Sequence, residues 1–331
     1  MDHEEAREIK RQLADYVAEM YGNDVTASGA GLVGAGVALG LSPVRDGGYG
    51  LAVRYRLGVP KARMVARKVA EQVGPMADVR RTGRIYAGPR RAVGLRTPVA
   101  TALAVGETGR TRPLRPGVSI AHRDVTAGTL GAFVHVDGAL HVLSNYHVLV
   151  GSPSASVGDP VLQPGPADGG QDPQDRVGAL AGFVALRRGA VARVDAAVAL
   201  LEDPSVELDY PEVGPITTTA EALGDEEVLK VGRTTGLTRG RVTAIELDDV
   251  VVGYGEELGE LRFDDQIEVE STGTGSFSRG GDSGSLVYRT DGTALGLLFA
   301  GSETGGDNGT GLTYINPIDT VLRELRATLA G

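Results

Sequence analysis

From about Val118 to Leu329 the chain alternates short β-branched or apolar runs with Gly, Asp and Pro at regular intervals, and this texture constrains the fold more than any other feature. It reads as an all-β barrel or sandwich. The run FVHVDGALHVLSNYHVL is the clearest hairpin, with Asp137-Gly138 at its turn. VLKVGRTTGLTRGRVTAIEL supplies another, with Gly236 and Gly240 at turn positions and its arginines expected on a solvated surface. Gly151 to Arg176, with five prolines, reads as a long loop. NPIDTVLRELRATLAG reads as a closing helix started by Asn316, with Pro317 just inside.

The first part of the chain has a different texture. Ile9, Leu13, Val17 and Met20 recur at helical spacing, two apolar runs flank SPVRDGG, and KARMVARKVAEQVG restores the helical period up to Gly74. With a last strand around Ala77 to Tyr86, residues 1–88 form a small α-β-β-α-β accessory domain. Residues 89–116, rich in Pro, Gly and Arg, read as a linker, and 117–331 as the main domain.

Cysteine is absent from all 331 residues, so disulfides, thiolate metal sites and a cysteine nucleophile are excluded. No apolar run reaches membrane-spanning length and the acidic start lacks the order of a secretory signal, which points to a soluble cytoplasmic protein with no membrane partner. The net charge of −10 is unevenly spread, with 19 basic against 11 acidic residues up to 116 and 14 against 32 beyond. The two parts should therefore attract one another. Arg80, Arg81, Arg90 and Arg91 also raise the reading of a nucleic-acid partner, but the acidic whole and the lack of interleaved aromatics argue against it.

Gly29, Gly31 and Gly34 match the dinucleotide-binding spacing, yet they follow a helix and enter a β run, the reverse of the order that spacing requires. They read as a flexible strand entry. The five histidines fall in no ligand pattern, so no metal or organic cofactor is implied.

One histidine has partners elsewhere in the chain. His147 stands where LSNYHVL leaves a strand, Asp195 heads the alternating run RVDAAVALL, and Ser283 sits in the glycine turn GGDSGSLV. A hydroxyl is a weak nucleophile at neutral pH and needs a base within reach, while that base needs a carboxylate to fix its tautomer. Glycine at 281 would let a backbone N–H face a developing oxyanion with no Cβ in the way.

With these residues in this order the chain resembles the chymotrypsin-like (trypsin-like) serine peptidases, and within them the cysteine-free intracellular bacterial type with an N-terminal extension. The resemblance spans about Val118 to Leu329. It implies a mainly β fold, a double six-stranded β-barrel with the small N-terminal α/β domain and a C-terminal helix. It further implies His147 as general base then acid, Asp195 as its orienting carboxylate, Ser283 as nucleophile, and the N–H groups of Gly281 and Ser283 as the oxyanion hole. Phe299, Ala300 and Gly301 would pair with an extended substrate backbone, and GLTYINP would form the other wall of the specificity pocket. Tryptic members carry an aspartate six positions before the nucleophile, where this chain has Phe277, so a small or apolar residue is expected before the scissile bond. Secreted members also pair the aspartate before the serine with a freed N-terminus. Here Asp282 needs another donor, or its loop stays disordered until an effector binds.

The expected function is a serine endopeptidase acting on protein or peptide substrates through an acyl-enzyme, regulated by its N-terminal domain or by homo-oligomerisation. The alternative is a catalytically silent peptidase-fold module that binds peptides or protein partners.

Overall fold

The computed structural model describes residues 1–21, 36–44, 47–88 and 104–331. The glycines at 29, 31 and 34, residues 89–103 of the expected linker, and with them Arg90 and Arg91, lie outside the described residues.

The N-terminal unit consists of α1 (His3–Tyr21), β1 (Val37–Pro43), β2 (Tyr49–Arg56), α2 (Pro60–Val73), β3 (Ala77–Thr82) and the two-residue β4 (Ile85–Tyr86). Helix α1 buries Ala6, Leu13, Val17 and Tyr21 along one stripe, and α2 buries Ala62, Val65, Ala66 and Val69. These stripes share a core with Leu39, Leu41, Leu51 and Val53 of the sheet. Proline opens α2 and Gly74, at φ +67°, closes it.

The first barrel sheet comprises β5 (Ser119–His122), β6 (Gly128–Thr129), β7 (Ala132–Val136), β8 (Ala139–Ser144), β9 (Pro160–Leu162), β10 (Arg176–Phe183) and β11 (Ala197–Leu201). Its order is β7-β8-β11-β10-β9-β5-β6, and because β6 runs on into β7 the sheet curls back towards itself. The expected turn joins β7 to β8, with Asp137 and Gly138 both at positive φ. Short helix α3 (Tyr146–Leu149) follows β8. Strand β9 and a single helical turn at Pro166–Asp168 give structure to the segment expected to be an uninterrupted loop.

The second barrel is closed. Its strands are β12 (Glu227–Gly232), β13 (Gly236–Asp248), β16 (Gln266–Ser271), β17 (Leu286–Arg289), β18 (Thr293–Ser302) and β19 (Leu312–Pro317), paired in the ring β12-β13-β16-β19-β18-β17. Between β13 and β16 stands a hairpin of β14 (Val250–Gly253) and β15 (Glu260–Phe263), joined through α4 (Gly255–Leu258). The C-terminal helix α5 covers only Ile318–Leu325; Asn316 lies within β19 instead of starting the helix. The tail then returns as β20 (Ala327–Leu329) and pairs with β7, because Arg326 turns the backbone left-handed at φ +53°. The mainly β architecture, a closed six-stranded barrel beside a curled half-barrel sheet with a helix near each end of the chain, is of the fold class expected from the sequence.

The N-terminal unit shares a sheet with the second barrel. Strand β1 pairs antiparallel with the far end of β13 at Leu39↔Asp248 and Leu41↔Ile245, where β12 no longer reaches. Its arginines meet carboxylates of the barrel. Arg54 pairs with Glu268 at 2.9 Å, both buried, and with Asp78 at 2.7 Å, while the Thr243 hydroxyl also donates to Glu268. Arg80 reaches Glu270 at 2.7 Å, and Arg56 and Arg84 both reach Glu260 at 2.9 Å. Such burial is tolerable because each charge is paired and hydrogen-bonded.

Residues 104–116 also lie on the barrels. Val105 donates to the Thr234 carbonyl, and Glu107 bridges to Val118. Among the described residues no helix is long and apolar enough to cross a membrane.

Candidate active site

His147 enters the space between the barrels because β8 ends at Ser144 and the chain turns into α3. Its Nδ1 lies 2.6 Å from Asp195 Oδ2, and its backbone N–H donates to Asp195 Oδ1 at 3.2 Å. The Asp195 side chain is fully buried and that of His147 is 11 % exposed. A buried carboxylate needs partners, and the backbone that carries this one is held as well. Asn145 Nδ2 donates to the Asp195 carbonyl at 2.7 Å, and the Asp195 N–H donates to Asn316 Oδ1 at 2.9 Å. The backbone of Asp195 is therefore fixed at both its C=O and its N–H, by Asn145 just beyond β8 and by Asn316 on β19.

A third donor reaches the same carboxylate. The Tyr254 hydroxyl donates to Asp195 Oδ2 at 2.6 Å, and its ring stands edge-on to His147 at 6.0 Å. Burial first, and then the Asp195 charge, raises the Tyr254 pKa well above 10, so the phenol stays protonated as a donor. No spacing singles this tyrosine out, since it lies in the hairpin between β13 and β16, far in sequence from both partners.

Ser283 occupies a turn that Asp282 organises from beneath. The buried Asp282 carboxylate accepts from the N–H groups of Thr234, Thr235 and Arg279 and from the Thr235 hydroxyl at 2.7–3.1 Å. Lys230, fully buried on β12, supplies the countercharge at 3.4 Å and also donates to Thr235 and to the Gly236 carbonyl. Burial lowers the Lys230 pKa, with Asp282 opposing that shift. Asp282 thus finds the donor that the sequence left open, in a lysine from an inward-facing position of VLKVG. The signal was there: a lysine set within an apolar strand.

Two glycines are dictated by this packing. A Cβ on Gly232 would stand 2.4 Å from Asp282 Oδ1. Gly281 has φ +99°, and a Cβ there would lie 2.4 Å from Thr234 Oγ1 and 2.8 Å from Arg233 Nη1. Arg233, expected on a solvated hairpin, is instead buried and paired with Asp168, because the turn it belongs to packs under the serine loop. Among the described residues the N–H groups of Gly281 and Ser283 make no hydrogen bond. The loop is also tied to the first barrel: the Thr129 N–H donates to the Ser283 carbonyl at 2.8 Å, and Gly284 lies against Ser144, three residues before His147.

The Ser283 hydroxyl makes no hydrogen bond to His147, whose Nε2 is buried without a partner among the described residues. What lies beside His147 is Gly88, where a Cβ would be 3.3 Å from Cδ2 and 3.8 Å from Nε2. Phe299, Ala300 and Gly301 lie on β18 as expected, and Gly301 is paired with Tyr86 of β4. Phe277 is 2 % exposed and packs in the apolar core of the second barrel with Val242, Val269 and Ile315. The Ser278 hydroxyl lies near Gly301, and it shares a 2.7 Å hydrogen bond with the hydroxyl of Thr313, the residue opposite Gly301 on β19. The described residues include no cluster of His, Asp and Glu that could hold a metal ion.

No family model matches the chain, and no curated protein matches it. Among solved structures it is similar to Thermobifida fusca Protease A, at 20 % identity over 66 % of this chain and 98 % of that one, with a TM-score of 0.44. A glutamic acid specific serine protease described as using a histidine triad in substrate binding matches at 24 % identity over 66 % and 100 % of the two chains, with a TM-score of 0.45. A homolog of alpha-lytic protease, N4, matches at 19 % over 66 % and 99 %, with a TM-score of 0.46. At such scores the likeness is loose, and the roles of single residues rest on the geometry of this chain.

Proposed function

We propose that this protein is a serine endopeptidase that hydrolyses peptide bonds through an acyl-enzyme. The observation that carries the reading is the buried His147–Asp195 pair. With Nδ1 facing Asp195 at 2.6 Å, the proton is held on that nitrogen and Nε2 is left as the basic one. The Ser283 hydroxyl would attack the substrate carbonyl while His147 Nε2 takes its proton. The tetrahedral oxyanion would accept from the N–H groups of Gly281 and Ser283. His147 would then protonate the leaving amine, and water would release the acyl group by the same steps in reverse. Asp195 stabilises the imidazolium that forms.

One observation favours a second reading, a silent peptide-binding module: Ser283 makes no hydrogen bond to His147. Catalytic hydrogen bonds are often long before substrate binds, so this geometry does not displace the first reading. Titration with a fluorophosphonate probe, followed by intact mass, separates the two. One adduct per chain that is lost in Ser283→Ala and His147→Ala supports the peptidase. An adduct that survives Ser283→Ala removes the nucleophile assignment, and no adduct at all favours the silent module.

A further inference from the structure

Strand β4 lies in the groove that β18 offers to a substrate. It pairs antiparallel with β18 at Gly301↔Tyr86 and Ser302↔Ile85, and on its other side it runs parallel to β14 at Val252↔Ile85 and Gly253↔Tyr86. The Ala87 N–H donates to the Gly253 carbonyl at 3.1 Å. One residue further on, Gly88 reaches His147. Upstream the approach is fastened as well: Gly83 donates to the Thr304 carbonyl at 3.0 Å, and Arg84 pairs with Glu260 on β15.

We infer that residues 85–88 are a built-in occupant of the substrate groove, a strand from the same chain held in the place of a peptide. The inference rests on the peptidase reading, which makes β18 and His147 the substrate side of the cleft. Three features converge on it. The strand pairs antiparallel with β18, which is how an extended peptide docks by β-augmentation, and its other edge is taken by β14. Its direction carries it towards His147. Its last described residue is a glycine, at φ +78°, lying where any larger side chain would press on the imidazole. A peptide that enters the groove must displace this segment, so the full chain is latent and its activity is set by how readily residues 85–88 leave. The residue opposite Gly301 in an incoming peptide would take the place of Tyr86.

The absence of cysteine gives a direct test. Ile85 and Ser302 are directly opposed, and facing positions of an antiparallel pair come close enough for a disulfide. In the double variant Ile85→Cys, Ser302→Cys, the same protein is compared oxidised and reduced. The probes are a fluorophosphonate, a peptidyl diphenyl phosphonate with three residues before its phosphonate, and a fluorescent peptide of residues 82–88. Expected is at least a tenfold slower reaction of the peptidyl probe in the oxidised form, with the peptide bound only by the reduced form. Ala87→Pro, which removes the N–H bonded to Gly253, should speed the peptidyl probe at least tenfold over the wild type. Equal rates for the oxidised and reduced forms would overturn the inference. Failure of the fluorophosphonate with the reduced form and with Ala87→Pro would instead count against the peptidase reading, and peptide binding would then decide the groove alone.

Discussion

Tyr254 and His147 converge on one oxygen of Asp195, each at 2.6 Å. The carboxylate is therefore held by a phenol that stays neutral in the working range and by the imidazole that it orients. Removing the phenol in Tyr254→Phe takes away a hydrogen bond to a charged group, a loss of about 2 kcal/mol in the ionised carboxylate's stabilisation. Less firmly held, Asp195 orients the His147 imidazole less well, and kcat/KM should fall roughly tenfold, about the 1.4 kcal/mol that a factor of ten represents. Fluorophosphonate labelling of Ser283 checks this, with the urea midpoint as the control for folding.

Gly281→Ala should damage rate more than fold. The new Cβ must push against Thr234 and Arg233 at a backbone angle that alanine avoids, turning the Gly281 N–H away from the oxyanion. Loss of one such donor lowers the acylation rate by ~10²–10³. Pre-steady-state labelling checks this, with the urea midpoint as the control for folding.

Lys230→Met should leave Asp282 as a buried carboxylate whose remaining partners are neutral. Breaking a buried pair in this way costs about 3–5 kcal/mol. The expected result is a lower denaturation midpoint together with slower labelling of Ser283, since the turn that carries the serine is built on Asp282. Normal stability with normal labelling would show that the four neutral donors suffice.

Acid should loosen helix α1. Burial alone would raise the Glu246 pKa, but Arg7, His3 and Lys10 outweigh it, and the net shift is downward from 4.5. A carboxylate with a depressed folded pKa contributes stability above its unfolded value, and that contribution is lost as pH falls through the folded one. Amides of α1 should therefore exchange faster as pH drops below 4.5, after correction for intrinsic rates. In Glu246→Gln they should already be faster at neutral pH, with little further change in acid.

How far the site could be read from the sequence depended on how local each cue was. His147, Asp195 and Ser283 each stand in a short stretch with its own signature, and the hairpin at Asp137-Gly138 declares itself by turn chemistry. Tyr254 carries no such mark, because its function depends on a hairpin folding back across the barrel. Phe277 was placed by its distance from the serine, yet its ring turns into the core. Strand β4 falls at the end of the strand expected around Ala77 to Tyr86, but neither the break after Thr82 nor what β4 pairs with has a local cue. The C-terminal helix was visible in its apolar spacing, whereas the left-handed turn at Arg326 that converts the tail into a strand was not.

The pairing of β1 with β13 bears on any attempt to work with the barrels by themselves. Strand β13 is 13 residues long and outruns its neighbour β12, so beyond Arg241 the N-terminal sheet is what covers that flank. Cut away residues 1–88 and a row of N–H and C=O groups around Ile245 to Asp248 is left bare, with a second row along Gly301 and Ser302. Bare sheet margins of this kind recruit strands from other molecules. A truncated chain should therefore be polydisperse in solution, and light scattering belongs ahead of any assay that compares its activity with that of the whole protein.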